Sequence, residues 1–260
     1  MSRQATLRRI AERLRSSSGF SPVPTVHGQL RGMDEAYAVQ TMNRDEWLGA
    51  GRVPAGYKVA VTTRESQRRF GASEPVYGRL FEDMRCRAHG TIPRGRFARP
   101  KLEGEIVLEL GEDLPARSLS PEAVAAAVGA FCVGFEIPDG SFAGRFDALD
   151  MAADNAGAAG YVLGECRRMT PDIDLAALVM QMRHNGEVVS TGTASTCMGH
   201  PINVLVWLQA ALRRRQETLK AGQIVYCGSL VPIIQVQPGD AFQATVEGVG
   251  SVSCRFAAAA

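Results

Sequence analysis

Lys101-Leu102-Glu103-Gly104-Glu105-Ile106-Val107-Leu108-Glu109-Leu110 is the stretch from which the rest of the chain can be read. At period two it sets Lys101, Glu103, Glu105, Val107 and Glu109 on one face and Leu102, Gly104, Ile106, Leu108 and Leu110 on the other, which predicts a two-faced strand. Residues two apart on a strand are same-side neighbours roughly 7 Å apart. Glu103 and Glu105 are thus spaced to converge on one hard cation, with Gly104 leaving room beside them. An ordinary amphipathic strand with its carboxylates in water shows the same alternation. A third carboxylate weighs against that plainer reading. In Val128-Gly129-Ala130-Phe131-Cys132-Val133-Gly134-Phe135-Glu136 the run before Glu136 is apolar and reads as a buried strand, and a charge at its end needs solvent, a partner or a metal. Three acidic groups on two strands suit octahedral Mg²⁺ or Mn²⁺, whereas zinc calls for His and Cys.

Outward from these strands, 260 residues suffice for a substantial core, and 45% hydrophobic with 22% charged residues is the balance of a globular chain in water. A net charge of +2 is too small to imply nucleic acid. No apolar run reaches the roughly 18 residues of a membrane span. Charges near the N-terminus replace the apolar core of a signal peptide, so the expectation is a cytoplasmic protein with no membrane partner. Cys86, Cys132, Cys166, Cys197, Cys227 and Cys254 stand singly, which predicts reduced structural thiols. The Ala257 to Ala260 tail is expected to fray.

Before the central strand, Leu7, Ile10, Ala11 and Leu14 recur at helical spacing, predicting a helix over 3–16 that ends near Ser16-Ser17-Ser18-Gly19. A second helix follows Gly32, with Asp34 as its cap. From Gly56 the character changes: Tyr57-Lys58-Val59-Ala60-Val61-Thr62 reads as a buried strand in which Lys58 either snorkels to an edge or serves a site. Residues 64–71 look helical, and Pro75-Val76-Tyr77-Gly78 reads as a turn. After the central strand, Ser120-Pro121-Glu122 opens a helix whose small-residue body runs from Ala123 to Gly129. The segment Phe146 to Gly160, holding Asp150, Asp154, Asn155 and Gly157, is either a site loop or a capped helix start. Asn185-Gly186 marks a hairpin, His200-Pro201 starts a helix, and short strands complete the chain. Helices first, then strands with inserted helices, is an α+β pattern, organised as a helical segment over 1–55 packed on a β-rich domain over 56–260. No Gly-x-Gly-x-x-Gly joins a strand to a helix, so no nucleotide site is expected.

Gly56-Tyr57-Lys58-Val59, Leu80-Phe81-Glu82-Asp83-Met84, Glu103-Gly104-Glu105-Ile106, Phe135-Glu136-Ile137-Pro138-Asp139, Ala153-Asp154-Asn155-Ala156, Gly199-His200-Pro201-Ile202-Asn203 and Gly248-Val249-Gly250-Ser251-Val252 follow one another in the order of a known family. Over nearly its whole length the chain resembles the 2-keto-4-pentenoate hydratase and 4-oxalocrotonate decarboxylase group of the fumarylacetoacetate hydrolase superfamily. The resemblance implies a mixed β-roll or sandwich core with an N-terminal helical part, a divalent cation and a homo-oligomer, and leaves room for a complex with a pathway enzyme. It also implies that Glu103, Glu105 and Glu136 bind the metal, that Lys58 is the active-site lysine, and that Asp154 and Asn155 bind substrate or support the site.

The implied activity is a metal-dependent lyase acting on a 2-hydroxy-2,4-dienoic or 2-oxo acid of aromatic catabolism, with hydration ahead of decarboxylation. Val76 stands where many hydratases of the group have an acid, and a valine moves no proton, so the group that activates water is not identified. Gly157 stands where some members have serine, which argues against acid–base chemistry from its loop. The C–C hydrolases of the superfamily use a Glu-His pair. His27, His89 and His184 show no partner in the sequence and are expected to be surface or packing residues, which ranks hydrolysis lower. A metal-stabilised scaffold without activity is the reading from another class, favoured by Val76 and opposed by the retention of Lys58 with the three glutamates.

Overall fold

Strand β5, Lys101–Leu110, occupies the middle of a nine-stranded mixed sheet in the computed structural model, which describes residues 2–17 and 19–259. Ser18 and Ala260, which fall in the expected helix end and the expected frayed tail, lie outside the described residues. Helices α1 (Arg3–Ser16) and α2 (Met33–Gly49) come first, then β1 (Pro54–Ala60), α3 (Arg64–Phe70), β2 (Val76–Phe81), β3 (Arg85–Cys86) and β4 (Gly90–Ile92). Beyond β5 stand α4 (Pro121–Ala126), β6 (Val128–Pro138), α5 (Ala148–Ala153), β7 (Ala158–Leu163), β8 (Arg167–Arg168), β9 (Val179–His184) and β10 (Glu187–Thr193). Helix α6 (Pro201–Arg213) and strands β11 (Ile224–Ser229), β12 (Ile234–Gln235), β13 (Ala241–Val246) and β14 (Gly250–Phe256) complete the order.

The large sheet runs β2-β1-β11-β5-β6-β7-β3, with β12 also on β5 and β8 on β6; a second sheet runs β10-β9-β13-β14-β4. Most pairs are antiparallel, and β1/β11, β3/β7 and β4/β14 are parallel, so the class is α+β with mixed sheets. The small sheet packs on the large one where Met180 and Met182 reach Gly104. A Cβ on that glycine would meet Met180 Sδ at 2.6 Å. Gly104 therefore makes room for the facing sheet, not for a ligand beside the glutamates, because strand alternation turns it to the other side.

Three local expectations are corrected. Pro75 to Gly78 is not a free turn: Val76, Tyr77 and Gly78 pair with Ala60, Val59 and Lys58 as the buried start of β2. The proline precedes the first paired residue, where its missing N–H does no harm. Asp34 is not the cap of α2; Gly32 holds that position without a side-chain bond, and Asp34 lies in the first turn. Helix α4 ends at Ala126, because β6 already begins at Val128.

The N-terminal helices share one hydrophobic cluster with the sheet, in which Leu7, Ile10, Leu14 and Val39 join Leu108, Phe135 and Leu208. Gln40 on α2 is 1% exposed and donates to Tyr77 O at 3.0 Å and Ala152 O at 2.8 Å, tying α2 to β2 and α5. Among the described residues, no helix is long and apolar enough to cross a membrane.

Candidate functional site

Register places Glu103 directly opposite Glu136 on the β5–β6 pair, with Glu105 two residues along opposite Gly134. Like charges facing each other across a ladder are unfavourable unless something positive lies between them. One carboxylate oxygen from each of Glu103, Glu105 and Glu136 lies within 4.8 Å of the other two. Lys58 enters from β1, which lies two strands from β5 and three from β6. Adjacent strands are about 4.8 Å apart, so a flat sheet would keep it away. The sheet curls instead, and Lys58 Nζ lies 3.1 Å from Glu136 Oε2 while donating to Ala156 O at 3.0 Å.

Two irregular backbone segments complete the arrangement. In β11 the pairing with β5 slips between Tyr226 and Ser229, and Gly228, at φ 99°, donates its N–H to Glu105 Oε2 at 2.7 Å. After α5, Asn155, Ala156 and Gly157 all take positive φ. The Asn155 side chain accepts from Arg79 N at 2.7 Å and donates to Arg79 O at 2.9 Å, so it splices this turn onto β2. That splice turns the Ala156 carbonyl towards Lys58. The Asn155 side chain is thus engaged by β2, and Asp154 alone of the pair lines the cavity described below. Sequence reading missed both Gly228 and the Ala156 carbonyl, since a backbone donor or acceptor leaves no side-chain signature.

Burial dominates the electrostatics. It pushes Glu105 up to about 8, with the charge of Glu103 adding and Lys58 and the Gly228 N–H opposing. Burial likewise raises Glu136 well above the carboxylate range against the pull of Lys58, with Glu103 and Glu105 contributing. Burial works against the Lys58 ammonium too, yet the combined field of Glu136, Glu103 and Glu105 prevails and keeps its pKa above the usual lysine value. Among the described residues, neither oxygen of the fully buried Glu136 has a hydrogen-bond partner; Oε2 is ion-paired with Lys58, and Glu103 lies close by. One ammonium among three carboxyl groups cannot balance them all when they are ionised, and Glu136 Oε1, without a hydrogen bond of its own, has room for a further positive partner. An all-oxygen, multiply anionic donor set fits a hard divalent cation.

Lys58 and Glu103 open onto a cavity of about 550 Å³. Phe70, Phe142 and Phe146 form an aromatic wall, with Phe70 and Phe146 stacked at 5.6 Å between centroids, while Arg69, Arg99 and Lys101 supply cations. Of these six, the sequence pointed to Lys101, on the face of β5 that carries Glu103 and Glu105, and to Phe146, in a candidate site loop. The histidines lie at or near the surface, with partners that the sequence did not show: His27 Nδ1 meets the buried Asp150, His89 Nδ1 lies 2.9 Å from Ser253 Oγ, and His184 Nε2 lies 2.9 Å from Asp240 Oδ1. The partners stand far along the chain from His27, His89 and His184, beyond the reach of a local pattern. None of the three histidines lines the cavity.

A mixed sheet curled around buried carboxylates and a lysine is the setting in which the comparisons with known proteins fall into place. Residues 70–257 match the family described as fumarylacetoacetate (FAA) hydrolase C-terminal, and the chain belongs to this family. Within it, the chain falls in the group of 2-keto-4-pentenoate hydratases and 4-oxalocrotonate decarboxylases. It is 36% identical over 225 residues to a 2-keto-4-pentenoate hydratase of Paraburkholderia xenovorans, covering 86% of this chain and 84% of the relative. It is 34% identical over 250 residues to a TodF product hydratase of Pseudomonas putida, covering 95% and 92%. Among solved structures it is similar to a 4-oxalocrotonate decarboxylase from Pseudomonas putida G7, complexed with magnesium and adipate, at TM-score 0.91, 27% identity and 98% coverage of both chains.

Proposed function

We propose that this chain is a divalent-metal-dependent lyase that hydrates a 2-hydroxy-2,4-dienoate to a 4-hydroxy-2-oxo acid. The observation that carries the reading is the meeting of Glu103, Glu105 and Glu136 beside Lys58 at the edge of a cavity. In this reading the three glutamates hold the ion, Mg²⁺ or Mn²⁺ by its donor set. When bound, such an ion supplies a positive centre for the carboxylate and keto oxygens of a 2-oxo acid and for the negative charge that grows on the keto oxygen. Lys58 adds an ammonium to the same region and orients the substrate carboxylate. The Ala156 carbonyl holds that ammonium in place, with Asn155 positioning the carbonyl through β2. The aromatic wall accepts the apolar carbon chain and excludes water from it.

Decarboxylation of a 2-oxo diacid is the second reading. It is favoured by Val76, which is fully buried in the hydrophobic core and supplies no acid. Incubation with Mg²⁺ and 2-hydroxypenta-2,4-dienoate or 2-hydroxymuconate, following dienol absorbance and CO₂, separates the two. Loss of the dienoate without CO₂ supports hydration, CO₂ release from the muconate supports decarboxylation, and no consumption of either by the metal-bound protein overturns both. The proposal includes assembly with further copies of the chain; equilibrium sedimentation giving the mass of one chain would remove that part.

A further inference from the structure

We propose that Asp154 carries the proton in this hydration, giving it to C5 of the dienoate and taking one back from the water that adds at C4. The inference rests on the hydration reading and names the group that Val76 and Gly157 do not provide. Asp154 stands on the wall of the same cavity as Lys58 and Glu103. Its neighbours there, Gly140 and Gly157, have no side chains to screen it. The Ser141 N–H donates to its Oδ2 at 2.8 Å and fixes the carboxyl at the C-terminal end of α5. Two residues on, the Ala156 carbonyl receives the Lys58 ammonium, so acid and ammonium are held by one turn.

The other acids on this wall are otherwise engaged or exposed. Glu103 belongs to the carboxylate cluster. Asp139 receives the Ala98 N–H at 2.7 Å and the Arg99 N–H at 3.0 Å, one on each oxygen. Glu65 is exposed in the first turn of α3. Burial pushes Asp154 up to about 7; Ser141 opposes, and the charges of Asp150 and Asp139 add. A group that both gives and recovers a proton near neutrality needs such a value.

Protonated Asp154 gives its proton to C5 as the C4–C5 π pair forms the new C–H bond, the C2–C3 pair moves to C3–C4, and the enol oxygen releases its proton to solvent, leaving a C2 ketone. The Asp154 carboxylate then takes a proton from water as the water oxygen bonds to C4. The C3–C4 pair moves towards the C2 carbonyl, and C3 is protonated from solvent. One proton leaves for solvent and one returns, one water is consumed, and Asp154 ends protonated.

The test compares the wild type with Asp154→Asn and Asp154→Glu, with Mg²⁺ and 2-hydroxypenta-2,4-dienoate, measuring kcat against pH and deuterium at C5 in D₂O. Calorimetric binding of Mg²⁺ and of oxalate reports on the intact site. Expected for Asp154→Asn are retained Mg²⁺ and oxalate binding, a fall in kcat of about 10²-fold or more, slowed deuteration at C5, and loss of the wild-type decline in rate above about pH 7. Asp150 and Asp139 are the charges that act on Asp154, and Lys58, Glu65, Arg69, Arg99, Lys101 and Glu103 share its cavity; all are unchanged in these variants. Turnover within about threefold of wild type, or an unchanged decline with pH, overturns the proposal alone. A wild type that binds metal but consumes no dienoate overturns the functional reading and this proposal with it. If Asp154→Asn loses oxalate binding, Asp154→Glu decides: a displaced pH limb supports the role, and an unmoved one overturns it.

Discussion

Glu105 shows how a single residue is held in tension at this site. It is 2% exposed, receives the Gly228 N–H, and lies against two further carboxylates. Glu105→Gln is expected to lower Mg²⁺ affinity by more than the roughly tenfold lost with a supporting partner. Without metal and above about pH 8, where Glu105 is ionised, removing its charge from a crowded, buried acid set relieves repulsion and desolvation. The metal-free variant should therefore unfold at or above the wild-type temperature; full Mg²⁺ affinity by calorimetry, or a clearly lower metal-free Tm, would count against the assignment. Asp154 gives a separate pH signature. Its acid stands at about 7 in the folded chain against an ordinary value of 3.8. The folded state thus holds that proton more tightly, and this group's contribution to stability falls as pH rises from about 4 to about 7. Asp154→Asn removes the penalty, so its gain over wild type in urea unfolding should grow across that interval and level off above it. The gain should be on the order of 2 kcal/mol, less than the full shift implies because one side of the residue faces the cavity. The carboxylates of Glu103 and Glu105 were legible from strand alternation, and that of Glu136 from its place at the end of an apolar run. The partners of His27 and Asp154 were not, because they lie far apart in the chain or are backbone groups.

Elements meet at this site through backbone contacts that tolerate no added side chain. Strand β2 touches the turn after α5 so closely that a Cβ on Gly78 would lie 2.1 Å from Asn155 O. Gly78→Ala should push that turn and its Ala156 carbonyl away from Lys58, costing about 1–3 kcal/mol of stability and lowering turnover more than Mg²⁺ affinity. A Cβ on Gly49, the last residue of α2, would meet nothing within 4 Å, and Gly49→Ala should be neutral or stabilising by up to about 1 kcal/mol. Urea midpoints that fail to separate the two variants would refute the close approach. Helices α1, α3 and α6 were readable from period and caps. Strand β2 was not, because Pro75 and Gly78 carry turn signals that tertiary pairing overrides.

At the scale of the molecule, we propose that the helical segment over 1–55 and the β-rich part over 56–260 unfold as one unit. Leu7, Ile10 and Leu14 share their hydrophobic cluster with the central sheet, and Gln40 bonds to both β2 and α5. The two tryptophans report from opposite parts: Trp47 in α2 packs edge-on against Phe81, and Trp207 in α6 donates to Glu74 Oε2 at 2.9 Å. Trp47→Phe and Trp207→Phe variants, each leaving one fluorophore, should show coincident urea transitions. An earlier transition seen by Trp47 alone would mean that the helical segment detaches. The amino-acid order by itself determined the strands carrying the acids, most helix starts and the α+β class, since each depends on residues within about a dozen positions of one another. Only the tertiary structure decided that Lys58 reaches Glu136, that Gly104 serves the facing sheet, and that a backbone carbonyl anchors the ammonium. Those facts depend on sheet curl and on contacts across many intervening residues, where local periodicity has no information.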